Sequence, residues 1–219
     1  FGGGTPSYLS AKQLTELTDE MKAILSWDEA EEVTFECEPG TLSEKKLEVI
    51  KNFGVSRLSL GIENFDDHVL ETNGRAHRSA EVFKAYEFAR SLDFEQINVD
   101  LISGMLEETE ENWKDTVRKA IELSPDSVTI YQMEVPYNTI IYQWMKDESR
   151  QTVPVAGWDA KRHWTDYAFN QFQAVVLSTV ERQCIAIVLK GLKEFFSIER
   201  QSHIIKQMQD GSISQIRWI

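Results

Sequence analysis

In the stretch Arg57-Leu58-Ser59-Leu60-Gly61-Ile62-Glu63, Leu58, Leu60 and Ile62 fall on one face of an extended strand, and Ser59, Gly61 and Glu63 on the other. The same parity recurs on either side of it. In Val33-Thr34-Phe35-Glu36-Cys37-Glu38, Val33, Phe35 and Cys37 oppose Thr34, Glu36 and Glu38. In Ile97 to Ile102, Ile97, Val99 and Leu101 oppose Asn98 and Asp100. Val128 to Met133 reads as a fourth strand.

Helical patterns separate these strands. Ser10-x-x-Gln13 is a capping box, followed by Leu14, Leu17, Met21 and Ile24/Leu25 at helical spacing. Ser43 opens a helix with Leu47, Ile50 and Phe53 on one face, ended by Gly54. Ser79 is expected to cap a helix carrying Val82, Phe83, Tyr86 and Ala89. Thr109 caps another, with Trp113, Val117 and Ile121 on one face and Glu110 paired with Lys114 at i,i+4. Further helices are expected around 138–146 and 158–172. Strands alternating with helices indicate parallel βαβ units and an α/β fold.

Parallel strands covered by helices on both faces are apolar on both. These carry one apolar and one polar face. Burying the polar face in an open sheet would cost several kcal/mol per unpaired carboxylate. A barrel avoids this cost, because helices cover the outside and the polar face lines a cavity. Active sites of such barrels lie at the carboxyl ends of the strands, where Glu36, Glu38, Glu63 and Asp100 fall.

Composition narrows the function. A net charge of −13 argues against nucleic acid, which requires a basic footprint. No apolar run reaches the ~20 residues that span a bilayer, and Phe1-Gly2-Gly3-Gly4 lacks the regions of a signal peptide. The cytoplasm is the expected location. Cys37 and Cys184 form no disulfide framework, and Cys37 shares the apolar face of its strand. His68, His77, His163 and His203 show no metal-ligand spacing. His77 and Arg78 read as a surface loop, and Trp144, Trp158 and Trp164 as core or rim aromatics.

The acidic strand ends suit a ligand with ammonium and hydroxyl groups. Gly2-Gly3-Gly4-Thr5 allows a ligand to approach the main chain closely. Arg75, in Asn73-Gly74-Arg75, is suited to a ligand carboxylate. Together these groups match a zwitterion bearing a ribose.

Gly2-Gly3-Gly4-Thr5-Pro6-Ser7, Glu36-Cys37-Glu38-Pro39, Arg57 to Glu63, Gly74-Arg75 and Asn98-Val99-Asp100-Leu101-Ile102-x-Gly104 occur in order along residues 1–145. As a set they resemble the oxygen-independent coproporphyrinogen III oxidase family of radical S-adenosylmethionine enzymes, including its haem-chaperone and haem-degrading relatives. The resemblance implies a partial (β/α) barrel with outer helices, S-adenosylmethionine, a [4Fe–4S] cluster and a tetrapyrrole substrate. It implies that Gly3, Gly4 and Thr5 lie against the methionine part of the cofactor and that Glu36 also binds it. Glu63, Arg75 and Asp100 match positions that hold a second S-adenosylmethionine in the oxidases. There a 5′-deoxyadenosyl radical abstracts hydrogen from a propionate, and loss of carbon dioxide leaves a vinyl group.

Several features depart from the pattern. The cluster's three-cysteine motif, expected upstream of the glycines together with a first strand, is missing from this chain. Glu63 replaces a glutamine of the oxidases, and Met105-Leu106 stands where G-x-P is common. The barrel segment is expected over residues 1–172. Residues 173–219 carry no family motif, and positions 174–219 hold six Lys/Arg against four Asp/Glu in an otherwise acidic chain. They read as a divergent or frameshifted tail, which sequencing of the locus would decide. Three functions stay open at this point: a radical enzyme acting on a tetrapyrrole, a haem-binding chaperone on the same scaffold, and an unrelated barrel enzyme with a carboxylate general base. This chain is expected to be without radical activity. Anaerobic iron–sulfur reconstitution should leave no stable [4Fe–4S] absorption, because two isolated cysteines lack the count and spacing; a stable cluster spectrum would refute this.

Overall fold

The computed structural model describes residues 1–25, 27, 29–135, 137, 142–143, 155–178 and 186–189. Among the described residues five strands form one sheet: β1 (Thr34–Cys37), β2 (Arg57–Glu63), β3 (Gln96–Ser103), β4 (Ser127–Gln132) and β5 (Ala186–Leu189). They pair in sequence order, and every pairing is parallel. The helices are α1 (Ala11–Ile24), α2 (Glu44–Asn52), α3 (Asp67–Thr72), α4 (Ser79–Ser91), α5 (Glu110–Leu123) and α6 (Trp158–Ser178). Crossovers between parallel strands are right-handed. With the strands laid down in order, each crossover passes on the same side, so the helices cover a single face.

That face holds the core. Phe35 and Cys37, then Leu58, Leu60 and Ile62, Ile97, Val99 and Leu101, and Val128 and Ile130 are all buried in one cluster beneath the helices. Cys37 therefore belongs to the core, as its parity predicts. On the opposite face the register aligns Glu36, Ser59, Asn98 and Ser127 in one row, and Gly61, Asp100 and Thr129 in the next. The amino ends of β3 and β4 are locked by Asp126, whose Oδ2 accepts from Ile97 N at 2.7 Å and from Arg90 Nη1 at 2.6 Å. Trp113 Nε1 donates to Trp164 O at 2.7 Å and ties α5 to α6.

The helix starts follow the capping signals with one exception. Gln13 N donates to Ser10 Oγ at 3.2 Å and Asn112 N to Thr109 Oγ1 at 3.2 Å, and both caps are reciprocated. The Ser43 hydroxyl caps α2 through Lys46 N. Glu110 and Lys114 pair at 2.7 Å. The exception is α4. Arg78 is its N-cap and Ser79 its first residue: Arg78 N donates to Glu81 Oε2 at 2.9 Å, and Ser79 N to Asp67 Oδ1 at 2.7 Å. Asp67 belongs to α3, which the periodicity did not reveal, since six residues are too few to show one. The Asp66 side chain caps it, accepting from His68 N and Val69 N.

The apolar stripe expected on α1 is only partly covered. Leu14 is buried, but Leu17, Ile24 and Leu25 are exposed and Thr18 is buried instead. α1 packs against α2 at the β1 side of the sheet, so only the ridge through Leu14 and Thr18 is enclosed. Trp164 is buried and Trp158 is 54% exposed. Most of the expected helix at 138–146, with Trp144, Cys184 and His203, lies outside the described residues. α6 passes without a break through residues 172 and 173, and β5 adds Ala186–Leu189 to the sheet. No helix among the described residues is long and apolar enough to cross a membrane.

Leu60, on the interior strand β2, is fully buried. Leu60→Ala should cost about 2–5 kcal/mol in urea denaturation, whereas Leu17→Ala on exposed α1 should stay within about 0.5 kcal/mol. Equal effects at the two positions would contradict this packing.

Candidate functional site

The polar strand ends enclose a cavity of about 210 Å³ lined by Gly4, Thr5, Glu36, Glu63, Arg75 and Asp100, among others. These are six of the seven residues singled out in the sequence. The seventh, Gly3, adjoins them: its N–H donates to Glu36 Oε2 at 3.3 Å. A larger groove of about 710 Å³ runs over the outer side between α2 and α4. It lies on the helix side of the sheet, away from the strand-end carboxylates.

The glycine turn is fixed at both ends. Phe1 bonds to β1 as a parallel neighbour, its amino group donating to Thr34 O at 2.7 Å and its carbonyl accepting from Glu36 N at 3.0 Å. Its ring stacks on Phe35. At the other end the buried Ser7 hydroxyl meets Thr41 Oγ1 at 2.6 Å and accepts from Glu38 N at 3.0 Å. Lys46 Nζ donates to both Ser7 O and Thr41 O at 2.7 Å. Between these anchors Gly3 and Gly4 adopt φ of +85° and +66°, a conformation that strains any residue with a Cβ. At Gly2 the constraint is contact: an added Cβ would lie 2.9 Å from Glu36 Cδ.

Glu63 reaches the cavity by an unusual route. The register slips between Gly61 and Glu63, so Glu63 stands opposite Leu101, a core residue. Its φ is +66°, and Asn64 N donates to Ile62 O at 2.8 Å across it, which makes a γ-turn centred on Glu63. This turn, rather than strand alternation, returns the carboxylate to the polar side. There it forms an ion pair with Arg75, Oε2 against Nε, without the alignment of a hydrogen bond. Burial pushes the Glu63 carboxyl up to about 7; Arg75 opposes the rise, and Glu38 and Asp100 add to it.

Asp100 is held more rigidly. Its Oδ2 accepts from Ser59 Oγ at 2.9 Å and its Oδ1 from Asn98 Nδ2 at 2.8 Å. Asn98 Oδ1 in turn accepts from Ser127 Oγ and Thr129 Oγ1. Burial raises the Asp100 carboxyl, and the donors from Ser59, Thr129 and Asn98 pull it back.

Glu38, placed at the strand ends by its position in the sequence, lines the cavity, and the structure adds Tyr131, which the sequence reading left out. Tyr131 shares the parity of Ser127 and Thr129, so extending the alternation into β4 would have found it. Its hydroxyl is pushed up to about 12, first by burial and then by the charges of Asp100 and Glu36. His77, expected in a surface loop, is completely buried. Its Nε2 donates to Ile62 O at 3.0 Å, and its Nδ1 lies 3.5 Å from Glu38 Oε1. Gly40 packs against it so closely that an added Cβ would sit 3.0 Å from the histidine Cβ. No sequence signal marked His77, because its partner is the main chain of another strand.

Four carboxylates thus face one guanidinium, itself paired. Chemically, the cavity is an acceptor-rich site for a ligand carrying cationic and hydroxyl groups.

Comparison with known proteins agrees with this architecture. The chain is 36% identical to the heme chaperone HemW of Bacillus subtilis over 146 residues, 66% of this chain and 38% of that protein. It is 32% identical to the oxygen-independent coproporphyrinogen III oxidase of Pseudomonas aeruginosa over 133 residues, 60% of this chain and 29% of that protein. It therefore spans less than two fifths of either of these relatives. Among solved structures, coproporphyrinogen III oxidase HemN of Escherichia coli superposes with a TM-score of 0.68 at 21% identity, covering 83% of this chain and 41% of that one. Elp3 of Methanocaldococcus infernus superposes with a TM-score of 0.64 at 17% identity, covering all of this chain and 55% of that one. Both likenesses establish the fold, an α/β barrel segment with outer helices. Residues 1–120, which hold the glycine turn, β1 to β3 and all seven residues named above, match the model of the radical SAM superfamily, and the chain belongs to that family.

Proposed function

We propose that the chain forms the S-adenosylmethionine-binding strand ends of a radical SAM protein that handles haem or a porphyrin precursor. The contact between the glycine turn and Glu36 carries this reading. Gly2 leaves room for the Glu36 carboxylate, and Gly3 and Gly4 keep open space beside the backbone. The turn therefore receives the methionine end of the cofactor along Gly3, Gly4 and Thr5. Glu36, on the exposed side, accepts from its ammonium group. Glu63, Arg75 and Asp100 would hold a second cationic nucleoside ligand of the same kind. S-adenosylmethionine, when bound, supplies a sulfonium bond whose reductive cleavage drives hydrogen abstraction. The chain's own part is to bind and orient it.

The cluster used by the family does not fit the described residues. Burial drives the Cys37 thiol above its usual range, and its side chain sits in the core. Among the described residues no group of three His, Cys, Asp or Glu is arranged for a metal. In the same reading residues 1–172 are the barrel segment and 173–219 a divergent or frameshifted tail.

Between the two tetrapyrrole functions, similarity favours the haem carrier. Identity reaches 36% with relatives named heme chaperones and 32% with those named coproporphyrinogen oxidases. A haem titration of the full-length protein, set beside an assay for released 5′-deoxyadenosine with coproporphyrinogen, separates the two. Stoichiometric haem binding without porphyrinogen turnover is expected, and turnover would overturn the preference.

In calorimetry, Glu36→Gln should weaken S-adenosylmethionine binding roughly ten- to a hundredfold, the worth of a hydrogen bond to a charged group. Unchanged affinity would remove Glu36 from the site. Affinity should also depend on pH. Glu63 is mostly protonated below about 7 and ionised above it, so binding of a cationic ligand should tighten as pH rises through 7. Glu63→Gln should flatten that profile, and an identical slope in the variant would exclude Glu63 from the linkage.

A further inference from the structure

The strained turn at Glu63 needs a restraint, because a non-glycine residue at positive φ persists only where its surroundings over-determine it. Arg75 alone does not supply one: its pairing with the carboxylate rewards the end of the side chain and does not fix the backbone. The restraint lies behind the turn, in the buried loop that follows β3.

Asn64 is fully buried, and both ends of its side-chain amide are hydrogen-bonded. Its Oδ1 accepts from Asp66 N at 2.9 Å and from Thr116 Oγ1 at 2.9 Å. Its Nδ2 donates to Glu108 Oε1 at 2.6 Å. The other carboxylate oxygen of Glu108 accepts from Gly104 N at 2.6 Å and Met105 N at 3.1 Å. Glu108 is itself 6% exposed. One carboxylate thus ties the loop after β2 to the loop after β3, and it does so at the residue next to Glu63. The chain of contacts has a fixed polarity: every partner of Glu108 donates, and both partners of Asn64 Oδ1 donate, which leaves Nδ2 no orientation except toward Glu108.

We propose that Glu108 and Asn64 are positioning residues whose buried hydrogen-bonded clamp enforces the γ-turn at Glu63 and so aims the Glu63 carboxylate into the strand-end cavity. Neither touches the cavity. Their effect passes through the backbone of residues 62–64, with His77 holding Ile62 O from the other side. The role in ligand binding rests on the reading of the cavity given above, whereas the clamp itself does not.

The polarity supplies the test. Glu108→Gln keeps the shape but sets the Gln amide against a second donor, either Asn64 Nδ2 or the Gly104 and Met105 N–H groups. Adding Asn64→Asp reverses the mismatch, since an aspartate accepts from the Gln amide while still accepting from Asp66 N and Thr116 Oγ1. The net charge of the pair is unchanged. The wild-type chain, Glu108→Gln and Asn64→Asp/Glu108→Gln are compared by carboxyl-carbon NMR titration of Glu63, with Arg75, Glu38 and Asp100 left as its charged neighbours. The wild-type midpoint is expected near 7. It should fall toward the ordinary glutamate range of about 4.3 in Glu108→Gln, as the freed side chain reaches water, and return in the double variant. An unmoved midpoint in Glu108→Gln, or no recovery in the double variant, would overturn the proposal. Calorimetry with S-adenosylmethionine on the same three proteins should show affinity lost and regained in parallel. Failure of the wild type to bind would defeat the cofactor reading and leave the clamp to be decided by the titration.

Discussion

The fold depends on the handedness of its crossovers. Right-handed connections between strands laid down in sequence order place every helix on one side of the sheet. The helices then bury Phe35, Leu60, Val99 and Ile130 on that side. No helix from these units can cover the other side, so side chains there must be polar, hydrogen-bonded or open to a ligand. The alternation of Ser59, Gly61 and Glu63 with Leu58, Leu60 and Ile62 is the chemical consequence of that single geometric fact.

Gathering Glu36, Glu38, Glu63 and Asp100 at one end of the sheet has an electrostatic cost. Two like charges about 4 Å apart repel by about 4 kcal/mol at an effective dielectric near 20. The structure offsets this in different ways at different positions. Asp100 is surrounded by donors from Ser59 and Asn98. Glu63 faces Arg75 and is raised to about 7, so it shares its site with a proton near neutrality. Glu36 stays exposed and meets a backbone N–H from the glycine turn. A cationic ligand would relieve what remains of the repulsion. The acidic cavity is therefore both the source of affinity and a local strain on the empty fold.

At the amino ends of the strands, away from the cavity, Asp126 joins Arg90 to the start of β3. This separation leaves the carboxyl ends of the strands to loops, whose geometry depends on a few side-chain clamps: Ser7 and Lys46 for the glycine turn, Asn64 and Glu108 for the turn at Glu63, His77 between β1 and β2. Each clamp joins residues more than ten positions apart in sequence, and each involves at least one backbone group.

The sequence alone determined the parallel α/β barrel segment, the sidedness of its strands, most of the helix caps and six of the residues that meet in the cavity, because alternation and capping are local and repeat within a few residues. The ordered motifs also carried the family. Only the tertiary structure decided that His77 is buried rather than exposed, that α1 leaves Leu17, Ile24 and Leu25 uncovered, and that Arg78 stands at the N-cap expected of Ser79. It also decided how Glu63 arrives where alternation placed it: through a slipped register and a left-handed turn held by Asn64 and Glu108. Those outcomes depend on main-chain atoms of distant segments meeting in space, and a backbone carbonyl or N–H is the same for every residue and leaves no trace in the order of side chains.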